Sequence, residues 1–159
     1  MESSEFNFKL EYNKLKQKHN LPEFEKLAED FDVEKIVEKE STFLIREVRR
    51  AINEKITAYL HLFEILINPN APPMFVFSIL KNSSLKNKEA IKEIYEELSK
   101  IQIETMKLDT IYKEDAEIKF INNAFEAWQK LKLKIYKLIE KLEANSIKEN
   151  ISENRSYFD

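Results

Sequence analysis

The sequence predicts an all-α fold: a single-domain helical bundle with three long helices, at about 42–67, 85–110 and 115–144. A short apolar helix at 73–81 and shorter N-terminal helices complete it. Three observations carry this prediction. Apolar residues recur at intervals of three and four along most of the chain, which places them on one face of a helix. Glycine is absent from all 159 residues. Glycine supplies the positive φ of tight hairpin turns and of phosphate-cradling loops, so a hairpin-rich β protein, a P-loop and a dinucleotide fold are all disfavoured. Finally, Asn20, Asn68, Asn82 and Asn145 each stand where an apolar pattern stops. Asparagine is the next-best residue for a left-handed helix end, and it can punctuate a glycine-free chain.

The elements follow in order. Residues 5–18 carry Phe6, Phe8, Leu10 and Tyr12 in alternation. That spacing also suits a strand, but a lone strand would lack a partner, so a helix is expected. Pro22 reads as the first residue of a helix whose apolar face is Phe24, Leu27, Ala28 and Phe31, since proline at that position forfeits no hydrogen bond. Asp32 is placed to cap a short segment holding Val33, Ile36 and Val37. Ser41 or Thr42 opens the first long helix, with the stripe Ile45, Val48, Ile52, Ile56, Tyr59, Phe63 and Leu66. Leu44, Leu60, Leu62 and Ile65 widen that surface, so its C-terminal half is expected to be buried on more than one side.

A run without charge, NPNAPPMFVFSIL over 68–80, then holds three of the four prolines. Pro72 or Pro73 starts the short helix there. Ser83 or Ser84 starts the second long helix, with Ile91, Ile94, Leu98, Ile101, Thr105, Leu108 and Tyr112 on its stripe. The third carries Ala116, Phe120, Ala124, Trp128, Leu131, Ile135, Leu138 and Leu142. No Gly or Pro separates these two. One helix over 84–144 would run about 90 Å, too long for a compact domain. A turn is therefore expected within 109–115, with Asp109 or Asp115 as its cap. The bundle is expected over 1–145, with 146–159 as a flexible polar tail.

Composition limits function more than it selects one. The net charge is −3 and the pI about 5.6, which argues against a generally basic nucleic-acid binder. There is no cysteine, hence no disulfide, no zinc-thiolate site and no thiol nucleophile. The longest uncharged run falls short of the roughly 18 residues of a membrane span. The N-terminus lacks the basic-then-apolar pattern of a signal peptide. A soluble cytoplasmic protein with no membrane span and no cofactor is the expectation.

Four constellations could carry chemistry. Arg46, Arg49 and Arg50 are three of only four arginines in a lysine-rich chain. The guanidinium fork suits phosphate or carboxylate, and these residues are read either as a partner contact or as internal pairs. Arg50 with Glu54, or a pairing to Glu25, Glu29 or Asp30, would be such pairs. Lys130, Lys134, Lys137 and Lys141 share one helix side, and residues 130–141 hold five lysines against Glu140. Such a face can lie on phosphates, or simply be solvated.

Glu47, Glu54, His61 and Glu64 share a stripe, but the Glu-x-x-His ligand pattern of a carboxylate-bridged metal site is missing. His61 is therefore read as partly buried and hydrogen-bonded. Met74, Phe75, Val76, Phe77, Ile79 and Leu80 cover nearly the whole circumference of the short helix. A helix apolar all round is normally enclosed. An internal plug is thus the main expectation, with one edge possible as a docking ridge on which Met74, Phe75 and Phe77 meet a partner.

Three classes of function are compatible with this reading. The first is a non-enzymatic interaction protein that docks on a protein partner or self-associates as a homo-oligomer, through Met74, Phe75, Phe77 and the three clustered arginines. The second is RNA or ribonucleoprotein binding, including a ribosome-associated role, through Arg46, Arg49, Arg50 and the Lys130–Lys141 face. A carboxylate-metal enzyme is the remote third.

Overall fold

The computed structural model describes residues 7–38, 44–68, 70, 72–81 and 83–156. The described residues form an all-α bundle with no strand. In order come α1 (Phe8–His19), α2 (Phe24–Asp30), a 3-10 helix (Val33–Glu38), α3 (Leu44–Ile67), α4 (Met74–Leu80), α5 (Leu85–Thr110) and α6 (Glu114–Ser156). The chain divides into two compact units. Unit 1 comprises Met1–Thr57 with Ile101–Trp128, and unit 2 comprises Ala58–Lys100 with Gln129–Asp159. Helices α3, α5 and α6 each contribute to both. The 43 residues of α6 supply Phe120, Ile121, Ala124 and Trp128 to unit 1 and Leu131, Ile135, Leu138 and Leu142 to unit 2.

In unit 1, α1 is a helix because Phe8 and Tyr12, four apart, are the buried pair, while Leu10 between them is exposed. The Asn7 side chain caps it by accepting from Leu10 N at 3.1 Å. Asn20 ends it in the left-handed region, φ 51°, and its N–H donates to Lys16 O at 2.9 Å. Asn20 is alone in this among the described residues. Asn68 follows the end of α3 without positive φ, and Asn145 lies inside α6. Asn82 lies outside the described residues.

Pro22 stands ahead of α2 rather than at its start, because Glu23 is the N-cap. The proline carbonyl accepts from Tyr12 Oη at 2.7 Å, and burial pushes the Tyr12 phenol well above its usual range. Phe8, Tyr12 and Phe24 pack ring against ring, with centroids 5.6–6.2 Å apart. Phe31 meets Trp128 at 6.1 Å. Asp32 does not cap with its side chain. Its carboxylate takes Lys35 Nζ at 2.7 Å, and only its backbone carbonyl serves the turn. Val33 and Ile36 are buried; Ser41 and Thr42 lie outside the described residues. Ile45, Val48, Ile52 and Ile56 of α3 are buried on schedule, each contributing roughly 1.5–3 kcal/mol when fully removed from water.

Unit 2 buries Leu60, Phe63, Val76, Ile91, Ile94 and Leu98, with Leu131, Ile135, Leu138 and Leu142 of α6. Ser84 caps α5, its Oγ accepting from Asn87 N at 3.1 Å. The wide apolar surface expected for the end of α3 is not covered on both sides: Leu62, Ile65 and Ile67 are exposed. α6 runs on to Ser156 rather than ending near 144. Residues 146–156 contain no Gly or Pro to stop it. Residues 157–159 lie outside the described residues. No described helix is long and apolar enough to cross a membrane.

The turn between α5 and α6 occupies 111–113, inside the expected window. Neither aspartate caps it. Asp109 falls in the last turn of α5, and Asp115 joins Glu114 and Glu117 in the first turn of α6, where carboxylates oppose the positive end of the helix dipole.

Candidate functional site

The arginine cluster lies in unit 1, and its members have three different fates. Arg49 is 1% exposed and Glu117 is 0% exposed. Arg49 Nε lies 2.6 Å from Glu117 Oε2, and its Nη2 donates to Asp109 Oδ1 at 2.7 Å. One guanidinium thus ties α3 to the end of α5 and the start of α6. Arg46 stands 4.0 Å from Glu117 Oε1, with its guanidinium carbon 4.9 Å from the Tyr112 ring centre. Arg50 is exposed and pairs with Glu47 one turn back, at 2.9 Å, rather than with Glu54. Glu25, one of the carboxylates expected to meet the arginines, holds Lys9 instead.

Burial pushes the Glu117 carboxyl above the usual carboxylate range, and Arg49 and Arg46 pull in the opposite direction. Two more polar atoms near this network are enclosed. Asn53 Oδ1 is one turn beyond Arg49, and Thr105 Oγ1 one turn before Asp109. Both are buried without a hydrogen-bond partner. The arrangement is a structural charge network: it fixes three helices, and Arg49 has no surface to offer a partner.

The acidic half of this network has a signature in the sequence that the expected arginine pairs above do not include. Glu117 precedes Ile121 by four residues and Ala124 by seven, which puts a carboxylate on the buried face of α6. A rare arginine on the stripe of one helix and a carboxylate on the stripe of another are each other's natural complement.

The apolar ridge lies in unit 2. Met74 is 82% exposed, Phe75 71% and Phe77 53%. α4 is only seven residues long, and Val76 is its one buried side chain. The enclosed plug is therefore not what forms. Pro73 opens the helix, and Phe77 N donates back to Pro73 O at 3.0 Å. Val76 anchors it with Ile79 and Leu80 half-buried beside it, and Met74, Phe75 and Phe77 turn outward. Beside it runs a groove of about 510 Å³, lined by Leu66, Ile67, Phe77, Leu80 and Ile91 among others.

Lys130, Lys134, Lys137 and Lys141 are all exposed on α6, also in unit 2. Lys134 Nζ donates to Glu97 Oε1 at 2.6 Å. His61 is exposed rather than half-buried, with Nδ1 3.1 Å from Glu64 Oε2. It projects from the solvent side of α3, so burial never reaches it. Among the described residues no group of three or more His, Asp or Glu side chains is placed to hold a metal ion. No family model, curated protein or solved structure matches this chain.

Proposed function

We propose that this protein acts by docking, as a non-enzymatic interaction protein whose contact surface is the α4 ridge of unit 2. The exposure of Met74, Phe75 and Phe77 carries the reading. A two-turn helix has little stability of its own, and this one buries only Val76 fully. Its remaining large side chains gain nothing from facing water. Aromatic residues and methionine are enriched at protein interfaces, where a few such anchors supply most of the binding energy. Leu62, Ile65 and Ile67 of α3 extend the apolar surface of the same unit, and the groove offers a seat for a partner's side chains.

The arginines expected to share this surface belong to unit 1 and are engaged with its own carboxylates and Tyr112. A polyanion reading therefore retains only the lysine row of α6. The occupant of the ridge is a protein segment, from another chain or from a second copy. A photo-crosslinking residue at Phe75 in the native cell, together with light scattering over a concentration series, separates the two. The expected result is one defined crosslinked species that disappears in a Met74→Ser/Phe75→Ser/Phe77→Ser variant of unchanged helicity. A monomer at all concentrations, giving no discrete crosslink, would sink the proposal.

A further inference from the structure

Independently of the ridge, we infer that unit 2 carries a binding site for a phosphoryl group, formed by the first turn of α5 and the lysine row of α6. A pocket of about 230 Å³ is lined by Lys86 and Asn87 of α5 and by Lys134, Lys137 and Lys141 of α6, with Glu93 as the one carboxylate in its lining. Lys134 is partly satisfied by Glu97, at 2.6 Å. Lys86, Lys137 and Lys141 have no ion-pair partner among the described residues. An ammonium group is a compact charge with three rotatable donors, and it suits phosphoryl oxygens approached from several directions.

Asn87 is the decisive residue. It is 5% exposed and lines the pocket. Its backbone N–H is spent on Ser84 Oγ, while its side-chain amide makes no hydrogen bond with any described residue. A buried residue whose amide finds no partner in the chain is unusual, and this one shares the lining of the pocket with the lysines. It also stands in the first turn of a 26-residue helix, whose leading N–H groups and dipole favour an anion.

A single carboxylate would leave most of this positive charge unanswered. A phosphoryl group, with nearly two charges and three acceptor oxygens, matches it. The pocket is too small for a nucleic-acid strand. Ala90, Ile94 and Leu138 give it an apolar side, so the ligand class is a small phosphate ester or diphosphate. A lipid headgroup carries the same chemistry, and the experiment separates the two sources.

Inorganic pyrophosphate is titrated into the full chain by calorimetry at low salt, while amide resonances are followed by NMR. The expected result is saturable one-to-one binding, with the largest shifts at Lys86, Asn87 and Lys137. Lys137→Gln/Lys141→Gln should weaken it by at least about tenfold. Asn87→Ala should weaken it about threefold, again with no change in the lysine charges. A second arm uses phosphatidylcholine vesicles containing phosphatidic acid. Binding to both probes, lost in the double variant, supports the site. Vesicle binding without pyrophosphate binding overturns it, since a flat charged membrane requires no pocket. Absence of saturable binding, or equal affinity in the double variant, overturns it as well.

Discussion

Unit 1 encloses a charge pair, whereas unit 2 turns most of one short apolar helix outward. Unit 1 encloses an arginine and a glutamate completely, the residue types that globular proteins most often leave in water. Unit 2 leaves a methionine and two phenylalanines in solvent, the types usually withdrawn from it. Each departure has a different physical meaning. An enclosed ion pair with fixed geometry costs desolvation and returns a defined arrangement of the helices it joins. An exposed apolar ridge contributes nothing to the folded chain by itself and becomes favourable only when something covers it. The first departure is satisfied inside the chain; the second needs another molecule.

The sharpest way to break this contrast is to remove Arg49. Arg49→Met strands Glu117 without its counter-charge in an enclosed site, and should destabilise the protein at neutral pH by about 3–5 kcal/mol. Urea denaturation followed by circular dichroism measures it. Replacing both partners, Arg49→Met/Glu117→Leu, should recover most of that loss, because no uncompensated charge is left behind. Asp109, whose side chain is 58% exposed, stays solvated. A double variant as unstable as the single one would show that the pair itself, rather than its completeness, supports unit 1.

Next in size is Thr105. Its hydroxyl is enclosed and unpartnered, so Thr105→Val should raise stability by about 1 kcal/mol, read as a rise in melting temperature. A loss of stability would reveal a partner for that hydroxyl.

The pH dependence comes third. Burial raises the folded-state pKa of Glu117 above its ordinary value of 4.5. The folded state then holds this proton more tightly than the unfolded chain does. Its contribution is fully present below the ordinary value and is lost as the pH rises through the raised one. The unfolding free energy of the parent, relative to Glu117→Gln, should therefore fall as the pH rises from about 4 toward neutrality. A difference that grows over the same range would mean that Arg49 outweighs burial.

The smallest effects belong to unit 2. Met74→Ser, Phe75→Ser and Phe77→Ser should each change stability by no more than about 0.5 kcal/mol, since exposed side chains carry little folding energy. A large loss from any of them would turn the ridge back into core and remove the contrast.

How much of this could be read in advance follows the range of the interactions. Helix identity and the buried stripes were legible, because Ile45 through Phe63 and Ile91 through Leu98 repeat at helical spacing. The turn after Thr110 followed from length alone. The outward face of α4 was not legible. Composition shows that Met74, Phe75 and Phe77 are apolar, but the number of neighbours available to enclose a two-turn helix is a tertiary quantity. The pairing of Arg49 with Glu117 had a local signature on each helix, yet nothing local matched one to the other. Asn145 shows the limit of single-residue punctuation. With helix-forming Lys and Glu on both sides, it is carried through α6. Asn20, followed by Leu21-Pro22, ends its helix.

The connectivity of unit 1 has a consequence for the order in which the protein can be made. Its two segments, Met1–Thr57 and Ile101–Trp128, are separated by part of unit 2. No continuous stretch that stops short of Trp128 contains it. During synthesis Arg49 emerges 68 residues ahead of Glu117, and domains close only as their parts leave the ribosome. Until then Arg49, in the second turn of α3, has no α6 carboxylate to pair with. The pair that joins α3 to α6 is thus among the last contacts of unit 1 that synthesis makes available.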